Sequence, residues 1–132
     1  YSLTMGGYKF ENFSNGEIDY SKNNIAGIPN SFHKLSLNYT NDKGLNLVIS
    51  WKRVGKIYTN NSNTSLVNGY DLINFNFSKK VFLFGLDVTP FLAIGNLLNE
   101  KYIDNIRINA FGSRFYEAAP KINFVSGIKF NL

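Results

Sequence analysis

Two arginines and three aromatic residues fall within ten positions: Arg107, Phe111, Arg114, Phe115 and Tyr116. Guanidinium groups beside aromatic faces make a surface for an anionic, partly aromatic ligand, through charge, bidentate hydrogen bonding and cation–π contact. The plainer reading pairs Arg114 with Glu117 or a neighbouring loop and leaves the aromatics to anchor the segment. Reactive chemistry has less to work with. His33 is the single histidine, so a multi-histidine metal site is not available, and no acidic residue stands at a spacing that would orient it as a base for a serine. Asp71, Asp87, Glu100 and Asp104 lack the spacing of a calcium loop. The sequence has no cysteine, which removes disulfides and thiolate metal sites. No catalytic residue, metal ligand or cofactor is expected, and the chain is not expected to be an enzyme.

Composition narrows the class. The net charge of +5 is spread along the chain without a dense cluster, so nucleic acid is not an expected partner. Aromatics make up 16% of residues, which suits strands and also suits surfaces that contact lipid. Asparagines lie between the apolar runs, where they suit turns. No run approaches the roughly 18 apolar residues of a transmembrane helix. Barrel strands, by contrast, hide their hydrophobicity in alternation. Asn12, Asn38, Asn60, Asn63 and Asn76 match glycosylation acceptors formally, as chance allows in a sequence this rich in Asn and Ser.

The elements that must position these residues are strands. Six are expected: Ser2 to Phe13, Ser31 to Thr40, Leu45 to Tyr58, Tyr70 to Lys80, Leu86 to Leu98, and Ile122 to Leu132. Most alternate strictly. Leu45, Leu47, Ile49 and Trp51 share a parity opposite Asn46, Ser50 and Lys52; Ile73, Phe75 and Phe77 oppose Asn74, Asn76 and Ser78. Asp87 is expected on the polar parity, as are Lys34, Lys52, Lys79 and Lys129. The terminal run INFVSGIKFNL alternates to its last residue, and the chain opens on Tyr1 inside a strand, so a preceding segment is expected.

Connections alternate too. Asn41 to Gly44 and Val81 to Gly85 are short; Ser14 to Asn30, Thr59 to Gly69 and Asn99 to Lys121 are long. In an up-and-down antiparallel sheet the long loops then share one edge, as in outer-membrane barrels with short periplasmic turns and long extracellular loops. The strands match the roughly 9–11 residues of a tilted membrane-spanning strand. Tyr39, Tyr58, Tyr70 and Tyr102, with Phe13 and Phe32, are read as a membrane-interface girdle, whereas Trp51 lies nearer mid-strand. Gly127, Phe130 and Leu132 have the spacing of the terminal label read by the barrel-assembly machinery. Six strands do not close a membrane barrel, whose minimum is about eight. The expected fold is therefore all-β, an up-and-down antiparallel segment of a larger transmembrane barrel.

Several stretches together resemble the C-terminal part of TonB-dependent outer-membrane receptors. IAGIPNSFHKLSLNY from Ile25 resembles that family's loop-then-strand passage, NLLNEKY from Asn96 the passage after the penultimate strand, and IRINAFGSRFYEAAP from Ile106 the last long extracellular loop. The final strand is similar to the family's terminal strand, although it ends in Leu132 where Phe or Trp is usual. The resemblance implies a barrel of about 22 strands. It also implies active import across the bacterial outer membrane of a scarce nutrient, above all a ferric siderophore or other metal complex. The implied partners are outer-membrane lipid, the rest of the barrel, a plug domain, TonB acting through that plug, and the barrel-assembly machinery. A passive porin or adhesin-type barrel, or a secreted carbohydrate-binding β-sandwich, are the alternatives.

Overall fold

Alternating sequence becomes a sheet with two unlike faces. The computed structural model describes residues 1–111 and 116–131. The strands are, in chain order, β1 Ser2–Met5, β2 Ser14–Asn15, β3 Ile18–Asp19, β4 Ser31–Thr40, β5 Leu45–Val54, β6 Ile57–Tyr58, β7 Leu66–Val67, β8 Tyr70–Lys79, β9 Val81–Leu83, β10 Leu86–Gly95, β11 Ile103–Ile106, β12 Tyr116–Ala118 and β13 Asn123–Asn131. The main sheet runs β1-β4-β5-β8-β10-β13, with β9 also on β10, and every pairing is antiparallel. Neighbours in the sheet follow one another along the chain, so it is an up-and-down meander. β1 and β13 are its open edges, and no pairing closes it into a barrel among the described residues.

All six expected strands are present, and β4 has the expected bounds. The differences have local causes. The first strand ends at Met5, before Gly6 and Gly7, and the rest of its expected span becomes loop. β5 stops at Val54 rather than Tyr58: Gly55 and Lys56 interrupt it and Ile57–Tyr58 resumes as β6, while Gly55 N donates to Ser31 O and Asn30 N to Lys56 O, an approach so close that a Cβ at Gly55 would collide with Asn30 and Ser31. The link before β10 is shorter than expected. Val81–Leu83 pairs with β10, leaving only Phe84 and Gly85 as the turn, both left-handed at φ 51° and 82°. In the other short turn Asn41 Oδ1 accepts from the amides of Lys43 and Leu45, and Gly44 supplies the left-handed residue at φ 75°.

Register sorts the faces. Leu37, Ile49, Phe75, Ile94 and Phe124 lie side by side in one row, and Leu35, Trp51 and Ile73 in another. None of the described residues covers this apolar face: Leu37 is 61% exposed and Phe124 75%. The opposite face carries Lys34, Ser36, Asn38, Asn46, Ser50, Lys52, Asn74, Asn76, Ser78, Asp87 and Lys129. One lysine departs from expectation. Lys79 pairs with Leu45 and so shares the apolar parity, and its Nζ reaches the short turn to donate to Lys43 O at 2.7 Å. The long aliphatic stem lets it carry its charge to the sheet edge.

Buried apolar residues are few: Ala26, Val54, Ile57, Val67 and Leu72, all toward the long-loop end. A compact monomer of 15.0 kDa exposes about 7,000 Å², whereas this chain exposes 9427 Å². The excess is what an uncovered sheet face produces.

Candidate functional site

The three long connections leave one edge of the sheet and lock together through asparagines. Asn24 N donates to Asn63 Oδ1 at 2.7 Å, and Asn63 Nδ2 returns to Asn24 O at 2.9 Å. Asn23 Nδ2 donates to Asn61 O, Asn61 N to Asn109 Oδ1, and Asn109 N to Thr59 O. Asn63 and Asn109 are left-handed at φ 56° and 53°, a conformation that asparagine tolerates better than most residues. A second hub is Asn96, 3% exposed and left-handed at φ 53°. Its Nδ2 donates to Glu100 O and Pro120 O, its Oδ1 accepts from Glu100 N, and its amide donates to Asn74 Oδ1. This hub bends NLLNEKY back over the end of β8.

That bend sets Tyr102 against Tyr70, ring centroids 4.6 Å apart. Tyr70 pairs with Val54 and belongs to the polar face, where Lys52 Nζ lies 5.7 Å from its ring centroid and Lys34 is the cross-strand neighbour of Lys52. A groove of about 410 Å³ runs past Asn68, Gly69, Tyr70, Glu100, Lys101 and Tyr102. It continues by way of Asn68 and Gly69 into one of about 400 Å³ bordered by Asn30, Arg53 and Lys56. Partial burial, then the charge of Asp104, pushes the Tyr102 hydroxyl above its ordinary pKa, so it stays a neutral donor. Two tilted phenol rings in contact, with the Lys52 ammonium beside one of them, can hold an anionic, aromatic-bearing ligand by aromatic contact and by charge.

The residues singled out from sequence fall in several places. Arg107 donates to Glu117 at 2.6 Å, so its charge is already matched. Phe111 is 99% exposed. Arg114 and Phe115 lie outside the described residues, as does the side chain of Tyr116, whose backbone belongs to β12. Tyr39 stands on the apolar face beside Leu47, next to a short turn. Tyr58 is in the loop layer, where its carbonyl accepts from Gly27 N. Tyr70 and Tyr102 form the pair just described, on the side away from the apolar belt, so a lipid-contact girdle does not suit them. Parity carried that signal, because Tyr70 is in step with Asn74 and Asn76.

Gly127 has a packing role: a Cβ there would meet the Phe91 ring at 2.8 Å. Phe130 pairs with Val88 on the apolar face, and Leu132 lies outside the described residues. Trp51 is nearer the rim than expected. Its Nε1 donates to Asp71 Oδ1 at 2.9 Å, Asp71 also pairs with Arg53, and His33 stands 5.9 Å from the indole with the Tyr1 hydroxyl 3.0 Å from its Nδ1. This cluster crowns the apolar face at the long-loop edge. No group of three potential metal ligands occurs among the described residues.

No family model matches the chain. Among solved structures it is similar to BauA, the ferric preacinetobactin receptor from Acinetobacter baumannii, at 22% identity and a TM-score of 0.67. The match covers 84% of this chain and 16% of that one, so the chain spans about a sixth of the neighbour's length. At this identity the likeness is one of fold.

Proposed function

We propose that this chain is part of the wall of an outer-membrane β-barrel that imports a ferric siderophore or related metal complex in a TonB-dependent manner. The observation that carries the reading is the sheet itself. Long antiparallel strands present one uncovered apolar face and one polar face, with all long connections at a single edge. Water does not favour such a face, whereas lipid does. Open sheet edges in a bilayer leave backbone groups unpaired at several kcal/mol each, so further strands close the wall. The fold likeness to a ferric-siderophore receptor and the NLLNEKY and RFYEAAP stretches favour the importer over a porin or adhesin.

On this reading the asparagine-locked loops face outward. The Tyr70–Tyr102 pair with Lys52 and Lys101, and the loop segment from Arg107 to Tyr116, meet the incoming complex. A plug inside the barrel couples to TonB. Gly127, Phe130 and Leu132 serve barrel assembly. The chain performs no bond chemistry on its ligand.

Uptake of radiolabelled ferric siderophores by iron-starved cells tests this reading, using strains with and without the complete polypeptide and with and without TonB. Uptake that needs both supports it. Passage that persists without TonB indicates a passive pore and contradicts it.

A further inference from the structure

The hairpin formed by β9 and β10 carries an apolar tip that none of the described residues covers. Phe84 is 96% exposed, Phe82 74% and Leu83 47%. Phe84 is the first residue of a two-residue turn and adopts φ 51°, followed by Gly85 at 82°. Such turns favour Asn-Gly, and a bulky aromatic residue seldom accepts a positive φ. A strained, fully exposed phenylalanine where Asn would be easier indicates a contact outside the chain.

The apolar face shows what that contact is. Its lower limit moves across the sheet. In β4 it ends at Tyr39, beside the Asn41–Gly44 turn. In β5 it ends at Leu45, whose partner on β8 is Lys79. On the β9–β10 hairpin it continues two rungs further, through Val81 with Val88 and Leu83 with Leu86, and β13 follows with Phe130 beside Val88. A flat bilayer crossing tilted strands cuts this kind of diagonal. Phe84 follows Leu83 directly, at the lowest corner of the band. Cations flank that corner. Lys43 and Lys79 meet at the neighbouring turn, and Lys80 pairs with Asp87 at 2.9 Å on the polar side of the hairpin.

We infer that the Leu83–Phe84 tip is an interfacial anchor: it inserts into the phospholipid headgroup region of the leaflet at the short-turn edge, with Lys43 and Lys79 at the level of the phosphates, while Phe82, paired with Asp87, faces the polar side. The inference rests on the membrane reading above.

The test uses the complete polypeptide in phosphatidylethanolamine–phosphatidylglycerol vesicles. An environment-sensitive fluorophore is placed on a cysteine introduced as Phe84→Cys or, in a second sample, as Ile49→Cys in the middle of the apolar face. Leu83→Cys substitutes if Phe84→Cys fails to assemble. The anchor requires that the Phe84 label be quenched by headgroup-labelled lipid and shielded from iodide, while the Ile49 label is quenched by mid-chain-labelled lipid. Lipid quenching at Ile49 with open iodide access at Phe84 overturns the anchor and leaves the membrane reading standing. Shielding of Phe84 from iodide without lipid quenching means that protein covers it, and also overturns the anchor. Absence of lipid quenching at both positions overturns the membrane reading and the anchor together. A label at Leu86 separates anchoring from a purely local turn role. Phe84→Asn, a better turn residue, must shift that label toward water if Phe84 holds the tip in lipid, and an unchanged emission contradicts the anchor.

Discussion

Asn96 does more than any other single residue to shape the long-loop end, because it fills a left-handed position and joins β8, the NLLNEKY bend and Pro120. Asn96→Ala removes the side-chain hydrogen bonds and places a Cβ-bearing residue at φ 53°, which together cost about 2–4 kcal/mol. Chemical denaturation in detergent should register a loss of that order, with Asn96→Gly relieving only the backbone part. Tyr102 offers a titration. Its pKa is raised by desolvation and then by Asp104, so the folded state favours the neutral phenol. That contribution is fully present below the ordinary tyrosine pKa of about 10 and is lost as pH rises from there through the raised folded value. Asp104→Asn should bring the phenol's ultraviolet titration midpoint down, read as the difference from a Tyr102→Phe variant. If the Tyr70–Tyr102 pair with Lys52 receives ligand, Tyr102→Ala weakens binding by about 2- to 30-fold, the value of roughly 0.5–2 kcal/mol for such contacts. At this scale the sequence was least legible. Tyr70 resembled a girdle residue until its register with Val54 put it on the polar face, and Lys79 escaped the parity rule because its stem can carry the charge to a turn.

Strands and short turns were the most legible elements, because alternation and turn residues are local. β4 appears where alternation begins and ends, and Asn41 to Gly44 makes its turn by side-chain-to-backbone bonds within the tetrad. The boundaries that moved were set by distant chain. β5 is interrupted at Gly55, where Asn30 and Ser31 lie too close for a Cβ, and nothing near Gly55 in sequence announces that approach. The small ladders β2–β3, β6–β7 and β11–β12 were missed for the same reason: two- to four-residue strands carry too little pattern. The β10–β13 pair yields an element-scale prediction. Phe91 covers Gly127, a small residue rescued by an aromatic neighbour. Gly127→Val should destabilise by about 1–3 kcal/mol through overpacking. Added to Phe91→Ala, it should cost less than the sum of the two single changes, a coupling that a double-mutant cycle measures.

For the whole molecule, the deciding feature is an apolar sheet face that none of the described residues covers. Alternation foretold the two faces; only cross-strand register revealed that they are continuous from β4 to β13 and that a diagonal limit bounds the apolar one. A carbohydrate-binding sandwich would need a second sheet on that face, and the described residues supply none. If lipid covers it, charge placement follows. Ile49→Lys should cost about 2–4 kcal/mol of stability in a bilayer, whereas Ser50→Lys, one residue away on the polar face, should cost little. The most direct measurement is a nitroxide scan of Leu45–Val54 in the complete polypeptide reconstituted in vesicles, comparing collision with oxygen and with a water-soluble nickel complex. The membrane-wall account requires period-two alternation, with Leu45, Leu47, Ile49 and Trp51 favouring oxygen and Asn46, Val48, Ser50 and Lys52 shielded from lipid. Oxygen access that is uniform along the strand, or apolar positions inaccessible to both probes as in a protein core, would contradict it.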